Sequence, residues 1–178
     1  EIVVPSVYLL TGKPGTGKTS LIKRVVVEFG GKAGGFYTEE IRREGVRLGF
    51  RLVTLDGQEA VLAQVDIKSL CRVSKYGVDV DAFDRVGVSA LRHAIVQSEL
   101  IVIDEIGKME LFSESFKQAV LNAVNSDKKV LGTIMLAPHP WADRIKSLPQ
   151  VKLVEVTHAN REQVLANLKV WLKAGGGN

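Results

Sequence analysis

Apolar residues follow two rhythms along most of the chain. Short continuous runs, such as Val7-Tyr8-Leu9-Leu10 and Leu100-Ile101-Val102-Ile103, alternate with longer stretches whose apolar positions lie three or four residues apart. The first pattern belongs to strands buried on both faces of a parallel sheet, the second to one face of a helix. Strands are therefore predicted over 6–11, 100–103, 129–136 and 151–156. Helices are predicted over 16–29, stopped by Gly30-Gly31, and over 82–97, divided into two at Gly87. Further helices are expected through Phe112, Phe116, Ala119, Val120 and Ala123 with Ser113 as N-cap, and over 141–146 between Pro138, Pro140 and Pro149. The last runs through Val164, Leu168 and Trp171, capped by Asn160 with Gln163 three residues on, and 175–177 should fray.

One region keeps a different period. Val46, Leu48, Phe50 and Leu52 alternate with Arg47, Gly49, Arg51 and Val53, the signature of a half-buried strand. A strand is predicted before it over 36–41, and Asp56-Gly57 signals a two-residue hairpin leading into a returning strand over 60–65. Residues 36–65 thus read as an antiparallel meander inserted into an alternating strand–helix chain, while 66–80 is the least readable stretch, with a turn signal at Tyr76-Gly77 followed by a short extended piece. The alternation predicts an α/β fold in three layers, a mostly parallel sheet with helices on both faces. No repeat, low-complexity tract or linker divides residues 1–178, which read as one domain.

Composition adds bounds. A chain of 178 residues, 46% hydrophobic and 25% charged, suits a globular domain, one that buries roughly 70% of its unfolded surface. Cys71 is the single cysteine, which excludes an internal disulfide, favours a reducing compartment and reads as a small structural residue. No apolar run reaches the length of a membrane span, and the apolar stretch near the N-terminus runs directly into a glycine loop, unlike a cleavable signal; a cytoplasmic location is the default expectation. The net charge of +4 permits an anionic partner without demanding nucleic acid.

The chemistry starts at Gly12-Lys13-Pro14-Gly15-Thr16-Gly17-Lys18-Thr19, which fills G-x-x-x-x-G-K-[ST] between a predicted strand and a predicted helix, the context this motif requires. The glycines let consecutive backbone N–H groups turn inward into an anion nest, backed by the positive end of the helix dipole. Lys18 supplies a cation for the outer phosphates and Thr19 a hydroxyl for Mg²⁺. Asp104-Glu105 directly follow the buried run 100–103, and the carboxyl end of a parallel strand is where such sheets bind ligands. Asp104 is the expected second Mg²⁺ ligand, and Glu105 the base that polarises a water for in-line attack on the γ-phosphorus, provided the strand ends there, since alternation would otherwise turn it away.

These segments, together with Gly35-Phe36-Tyr37-Thr38-Glu39-Glu40, Gly45-Val46-Arg47-Leu48-Gly49-Phe50, Ile103-Asp104-Glu105-Ile106-Gly107-Lys108-Met109-Glu110 and His139-Pro140, resemble the small thermostable nucleoside-triphosphatase family, whose vertebrate members are called cancer-related nucleoside-triphosphatase. The resemblance spans nearly the whole chain, and the Asp-Glu-Ile-Gly-Lys-Met-Glu run is far more selective than the phosphate loop. It implies Mg²⁺-dependent hydrolysis of nucleoside triphosphates to diphosphate and phosphate, loose base preference and a RecA-like sheet. It also implies that a second nucleotide-contacting segment comprises Leu100, Ile101, Val102, Ile103, Asp104, Glu105, Ile106 and Gly107. In such a sheet the strand 129–136 should lie between the phosphate-loop strand and 100–104.

Other candidates carry competing readings. Lys108 either reaches a phosphate or orients Glu105, or is a solvated lysine. Arg42, Arg43, Arg47 and Arg51 are the solvated face of the meander or supply an arginine finger, with Arg144 a more distant candidate. Trp141 and Phe112 stack on a base or pack in the core. His93, His139 and His158 show no metal-ligand spacing, and only His139 lies near a strand end. Two other functions stay open: a small nucleotide or metabolite kinase whose acceptor pocket is lined by the meander, and a nucleic-acid-associated regulatory ATPase suggested by a sequence pI near 9.2. The expected assembly is a monomer or weak oligomer, with the meander's edge as the possible contact.

Overall fold

The alternation of side chains along each central strand sets the layers. In β1 (Val7–Thr11), Val7 and Leu9 face one apolar core while Tyr8 and Leu10 face a second. In β7 (Leu100–Ile106), Ile101 and Ile103 join the first core, Leu100 and Val102 the second. Both faces are therefore covered, which is why these runs are apolar throughout. The computed structural model describes residues 4–174. α1 (Lys18–Glu28) and α6 (Arg161–Lys173) cover one face through Leu21, Ile22, Val164 and Leu168. α3 (Ser89–Gln97), α4 (Glu114–Val124) and α5 (Pro140–Lys146) cover the other through Leu91, Phe116, Ala119 and Ile145.

The sheet runs β5 (Arg72–Val73), β6 (Tyr76–Val78), β4 (Glu59–Gln64), β3 (Val46–Thr54), β2 (Ala33–Arg43), β7, β8 (Lys129–Ile134), β1, β9 (Val151–Glu155). β8 (Lys129–Ile134) pairs in parallel with β1 on one side and β7 on the other, so it separates the phosphate-loop strand from the Asp104 strand as expected of a RecA-like order. β9 (Val151–Glu155) flanks β1 in parallel at the outer edge.

β2 (Ala33–Arg43) corrects the picture of an inserted meander. Its first residues pair in parallel with β7, from Ala33 opposite Leu100 to Phe36 opposite Ile103. Beyond Phe36 the same strand pairs antiparallel with β3 (Val46–Thr54), and β4 (Glu59–Gln64) follows antiparallel to β3. The meander is therefore continuous with the parallel sheet. The strand starts ahead of the expected residue 36, and Gly35, at φ 117°, lets β2 approach β7 so closely that a Cβ would sit 1.9 Å from the Val102 carbonyl oxygen. The hairpin at Asp56-Gly57 spans 55–58 rather than two residues, closed by Thr54 N donating to the Gln58 carbonyl at 2.8 Å and Gln58 N to the Thr54 hydroxyl at 2.9 Å. The unreadable stretch holds β5 (Arg72–Val73) and β6 (Tyr76–Val78), which turn at Ser74 and extend the antiparallel wing. Cys71 packs against the main core beside them.

Gly87 does not divide the helix expected over 82–97. α2 (Val80–Phe83) continues through a π-helical segment, Asp84–Val88, into α3. The reason is steric: a Cβ on Gly87 would lie 2.8 Å from the Phe83 ring. Phe83 packs edge-on to Phe36 at 5.7 Å and against Phe116 at 5.1 Å between centroids, and all three rings are fully buried. Gly87→Ala is expected to lower stability by about 1–3 kcal/mol, the usual cost of overpacking a filled core, read as a shift in the denaturant midpoint with little change in slope.

Two caps separate expectation from structure. Ser113 caps α4 as expected, its hydroxyl accepting from Phe116 N at 3.0 Å. Asn160 does not cap α6; its carboxamide accepts from Thr157 N and donates to the Glu155 carbonyl, both at 2.8 Å, which ties down the turn leaving β9. Residues 175–177, expected to fray, lie outside the described residues. Among the described residues no helix is long and apolar enough to cross a membrane.

Candidate functional site

The loop after β1 bends through Gly12, Gly15 and Gly17, with φ of 141°, 82° and 84°. Gly17 precedes α1 in the left-handed region and the helix has no side-chain cap, so its first N–H groups remain available to an anion. Lys18 folds back over the loop, its Nζ donating to the carbonyls of Gly12 at 2.9 Å and Lys13 at 3.0 Å. Thr16 turns inward, its hydroxyl bonded to the Lys13 carbonyl at 3.0 Å, so its side chain holds the loop's shape instead of lining the cleft. Gly17 is needed twice over. A Cβ there would fall 2.7 Å from the guanidinium of Arg161, the first residue of α6, which lies against the loop with its Nε buried and unpaired.

Asp104 is the hub. It is 3% exposed, and three hydroxyls converge on it. Thr19 donates to Oδ2 at 2.8 Å, Thr133 of β8 donates to Oδ1 at 2.7 Å, and Thr38 of β2 donates to the backbone carbonyl at 2.5 Å. Burial pushes its carboxyl above the ordinary range, opposed by the bonds from Thr133 and Thr19. Tyr37 nearby is pushed up to about 12 by burial and by the Asp104 charge, so it stays a neutral phenol. Thr19 and Asp104 both open onto the cleft and offer hard oxygen ligands, a donor set that fits Mg²⁺. Among the described residues no group of three or more His, Cys, Asp or Glu is arranged to hold a metal.

Glu105 lies in the same cleft as Asp104 because β7 loses its regular register with β8 between Ile103 and Ile106; the peptide joining the two acids is cis. Its carboxylate packs on Gly107, where a Cβ would sit 2.3 Å from Oε1. Burial and the charge of Asp104 raise the Glu105 carboxyl, while Lys18 opposes the rise. The cleft encloses about 620 Å³ and runs from the glycine loop past Asp104, Glu105 and Lys108 to Phe50, Leu62 and Val73 of the antiparallel wing. A bound anion, a divalent cation and a carboxylate base can meet there.

Several expected contacts are not made. Leu100, Ile101, Val102 and Ile103 are fully buried in the sheet interior and Ile106 beneath it, so their side chains pack the cores and cannot touch a nucleotide; Gly107 supports Glu105. Gly12, Lys13, Pro14, Gly15, Gly17, Lys18, Thr19, Asp104, Glu105 and the exposed Lys108 do line the cleft. Arg42 and Arg47 pair with Glu40, and Arg51 lies near Glu39 and Glu59, so these arginines neutralise the meander's own acids. They, Arg43 and Arg144 lie outside the cleft lining. Trp141 packs against the core and Phe112 is 40% exposed, both away from the cleft. His139 caps α5, its Nδ1 accepting from Trp141 N at 3.2 Å, while His93 and His158 are exposed. Thr38, Thr133, Glu110 and Arg161 were missed. The only trace of Thr133 in the sequence is a hydroxyl inside an otherwise apolar strand.

Comparison with known proteins agrees with this geometry. The family model described as NTPase matches residues 7–168. Nucleoside-triphosphatase THEP1 of Thermotoga petrophila is 44% identical over 169 residues, covering 95% of this chain and 94% of the relative. The human cancer-related nucleoside-triphosphatase is 40% identical over 175 residues, covering 89% of this chain and 92% of its own. The crystal structure of THEP1 from Aquifex aeolicus superposes with a TM-score of 0.86 at 36% identity, covering 94% of this chain and 99% of that one. A phosphate loop, an Asp-Glu pair on the strand one removed and a match over nearly the full length together place this chain in the nucleoside-triphosphatase family.

Proposed function

We propose that the protein hydrolyses nucleoside 5′-triphosphates to nucleoside diphosphate and phosphate, with Mg²⁺ and little regard for the base. The observation that carries the reading is Glu105, a half-buried carboxylate sharing one cleft with Asp104, Thr19 and Lys18. Backbone N–H groups of the loop and α1 bind the phosphates, and Lys18 exchanges its two carbonyl partners for outer phosphate oxygens. These groups read charge, which accounts for loose base preference. Thr19 and Asp104 hold Mg²⁺, which when bound offsets charge on the phosphate oxygens. Glu105 accepts a proton from the attacking water, the water oxygen bonds to the γ-phosphorus, and the bond to the bridging oxygen breaks to release the diphosphate.

A kinase would use the same loop, and the apolar end of the cleft at Phe50, Leu62 and Val73 is the observation in its favour. The position of β8 between β1 and β7 supports the hydrolase. The test is phosphate release from ATP, GTP, CTP and UTP with Mg²⁺ and no acceptor. Comparable rates are expected for all four, falling to background with excess chelator. Phosphoryl transfer seen only after an acceptor is added would overturn the hydrolase reading.

A further inference from the structure

Glu110 opens a 3₁₀ turn, Glu110–Phe112, just beyond β7, and its side chain lines the cleft while only 4% exposed. Its Oε2 is buried with no hydrogen-bond partner. Such a group costs free energy unless something pairs with it, and an apolar side chain of similar volume would fill the place without that cost. The backbone of the turn is held in place, with Leu111 N donating to the Gly107 carbonyl at 3.0 Å and Ser113 N to the Glu110 carbonyl at 3.0 Å. The charged groups of the cleft around it are Glu105 and Asp104 from β7, Lys13 from the glycine loop, Lys18 from α1, Lys108 just before the turn, and Glu39 and Glu40 from β2. Glu39 and Glu40 are already engaged by Lys23 at 3.2 Å and Arg42 at 2.7 Å. Burial, and then the charge of Glu105, push the Glu110 carboxyl well above the ordinary range, which favours its protonated form, the one with an O–H to donate.

We propose that Glu110 is a positioning residue: its free carboxyl oxygen hydrogen-bonds into the space beside Glu105 and orients that carboxylate and the water it holds for attack. This rests on the hydrolase reading above, with Glu105 as base. A neutral donor beside a charged base fixes the base without competing for the substrate's cation, as a second carboxylate would.

The test compares the full chain with Glu110→Gln and Glu110→Met, measuring kcat and KM for Mg²⁺·ATP and the thermal midpoint. Glu110→Met keeps the volume and removes the donor; it should melt no lower than the natural protein, keep KM within about threefold and lose about 10–100-fold in kcat. Glu110→Gln keeps a neutral donor and should return kcat to within about threefold. Natural-level kcat in Glu110→Met would reduce Glu110 to packing and overturn the proposal. Glu110→Gln as slow as Glu110→Met would overturn it too, by showing that the negative charge is required. If the methionine variant fails to fold, Glu110→Leu takes its place, and the glutamine variant is read alone against the natural protein. Failure of the natural protein to release phosphate without an acceptor would instead strike the hydrolase reading.

Discussion

Glu105→Gln should leave a folded protein that binds Mg²⁺·ATP about as well as the natural one and turns it over about 10²–10⁴-fold more slowly. Glutamine has the same shape, so the packing of residue 105 on Gly107 is kept. The substitution also removes a carboxylate that burial and Asp104 already disfavour, so it carries no stability cost. Phosphate affinity rests on the loop, α1 and Lys18, none of which the change touches. The loss should therefore fall on kcat, with KM nearly constant, the mark of an interaction made in the transition state alone. Steady-state phosphate release and equilibrium binding of ATP to the variant separate the two quantities. Unimpaired turnover would remove Glu105 as the base.

Asp104→Asn should cost about a thousandfold in kcat/KM at low Mg²⁺, the equivalent of the several kcal/mol that a catalytic cation supplies. The substitution changes one thing more than charge. Asp104 accepts from Thr19 on Oδ2 and from Thr133 on Oδ1, and an asparagine can accept on one side only. One of those hydroxyls must reverse and accept from the amide, which a rotating O–H can do, so the fold should survive with a loss of about 1–3 kcal/mol at most. The diagnostic is the Mg²⁺ titration. Half-maximal activity should move to much higher Mg²⁺, and saturating metal should restore part of the rate. A titration midpoint unchanged from the natural protein would show that Asp104 supports the sheet and holds no cation.

Legibility in the sequence followed the physics of each signal. Parallel strands buried on both faces announce themselves as apolar runs, so β1, β8 and β9 were found to within two residues, while β7, expected to end at Ile103, continues through Asp104 and Glu105 to Ile106, an end that carries no apolar signal. The phosphate loop was legible because its geometry depends on glycines and a following helix, all local. Glu105 was legible by adjacency to Asp104. What escaped depends on distant chain. Thr38 and Thr133 reach Asp104 only because β2 and β8 are its neighbours in the sheet, and nothing in either segment alone points to a partner 66 or 29 residues away. Arg161 meets Gly17 through the packing of α6 on α1, again a tertiary fact. Gly87 misled because a glycine within a helix reads as a break, while here its missing side chain is space for Phe83.

The position of β1 has a consequence for how the molecule comes into being. Apart from Thr133 and Arg161, every group assigned to the site lies between Gly12 and Glu110, in a part of the chain made before β8 and β9. Yet among the described residues the strand that carries the phosphate loop has β8 and β9 as its sheet neighbours, and these begin at Lys129 and Val151. A nascent chain that already contains the loop, the aspartate and the base therefore has nothing to hold the loop against the aspartate. The two halves of the site come into register only when β8 and β9 slot in on either side of β1, so competence to bind a triphosphate waits on strands made well after the loop, the aspartate and Glu105.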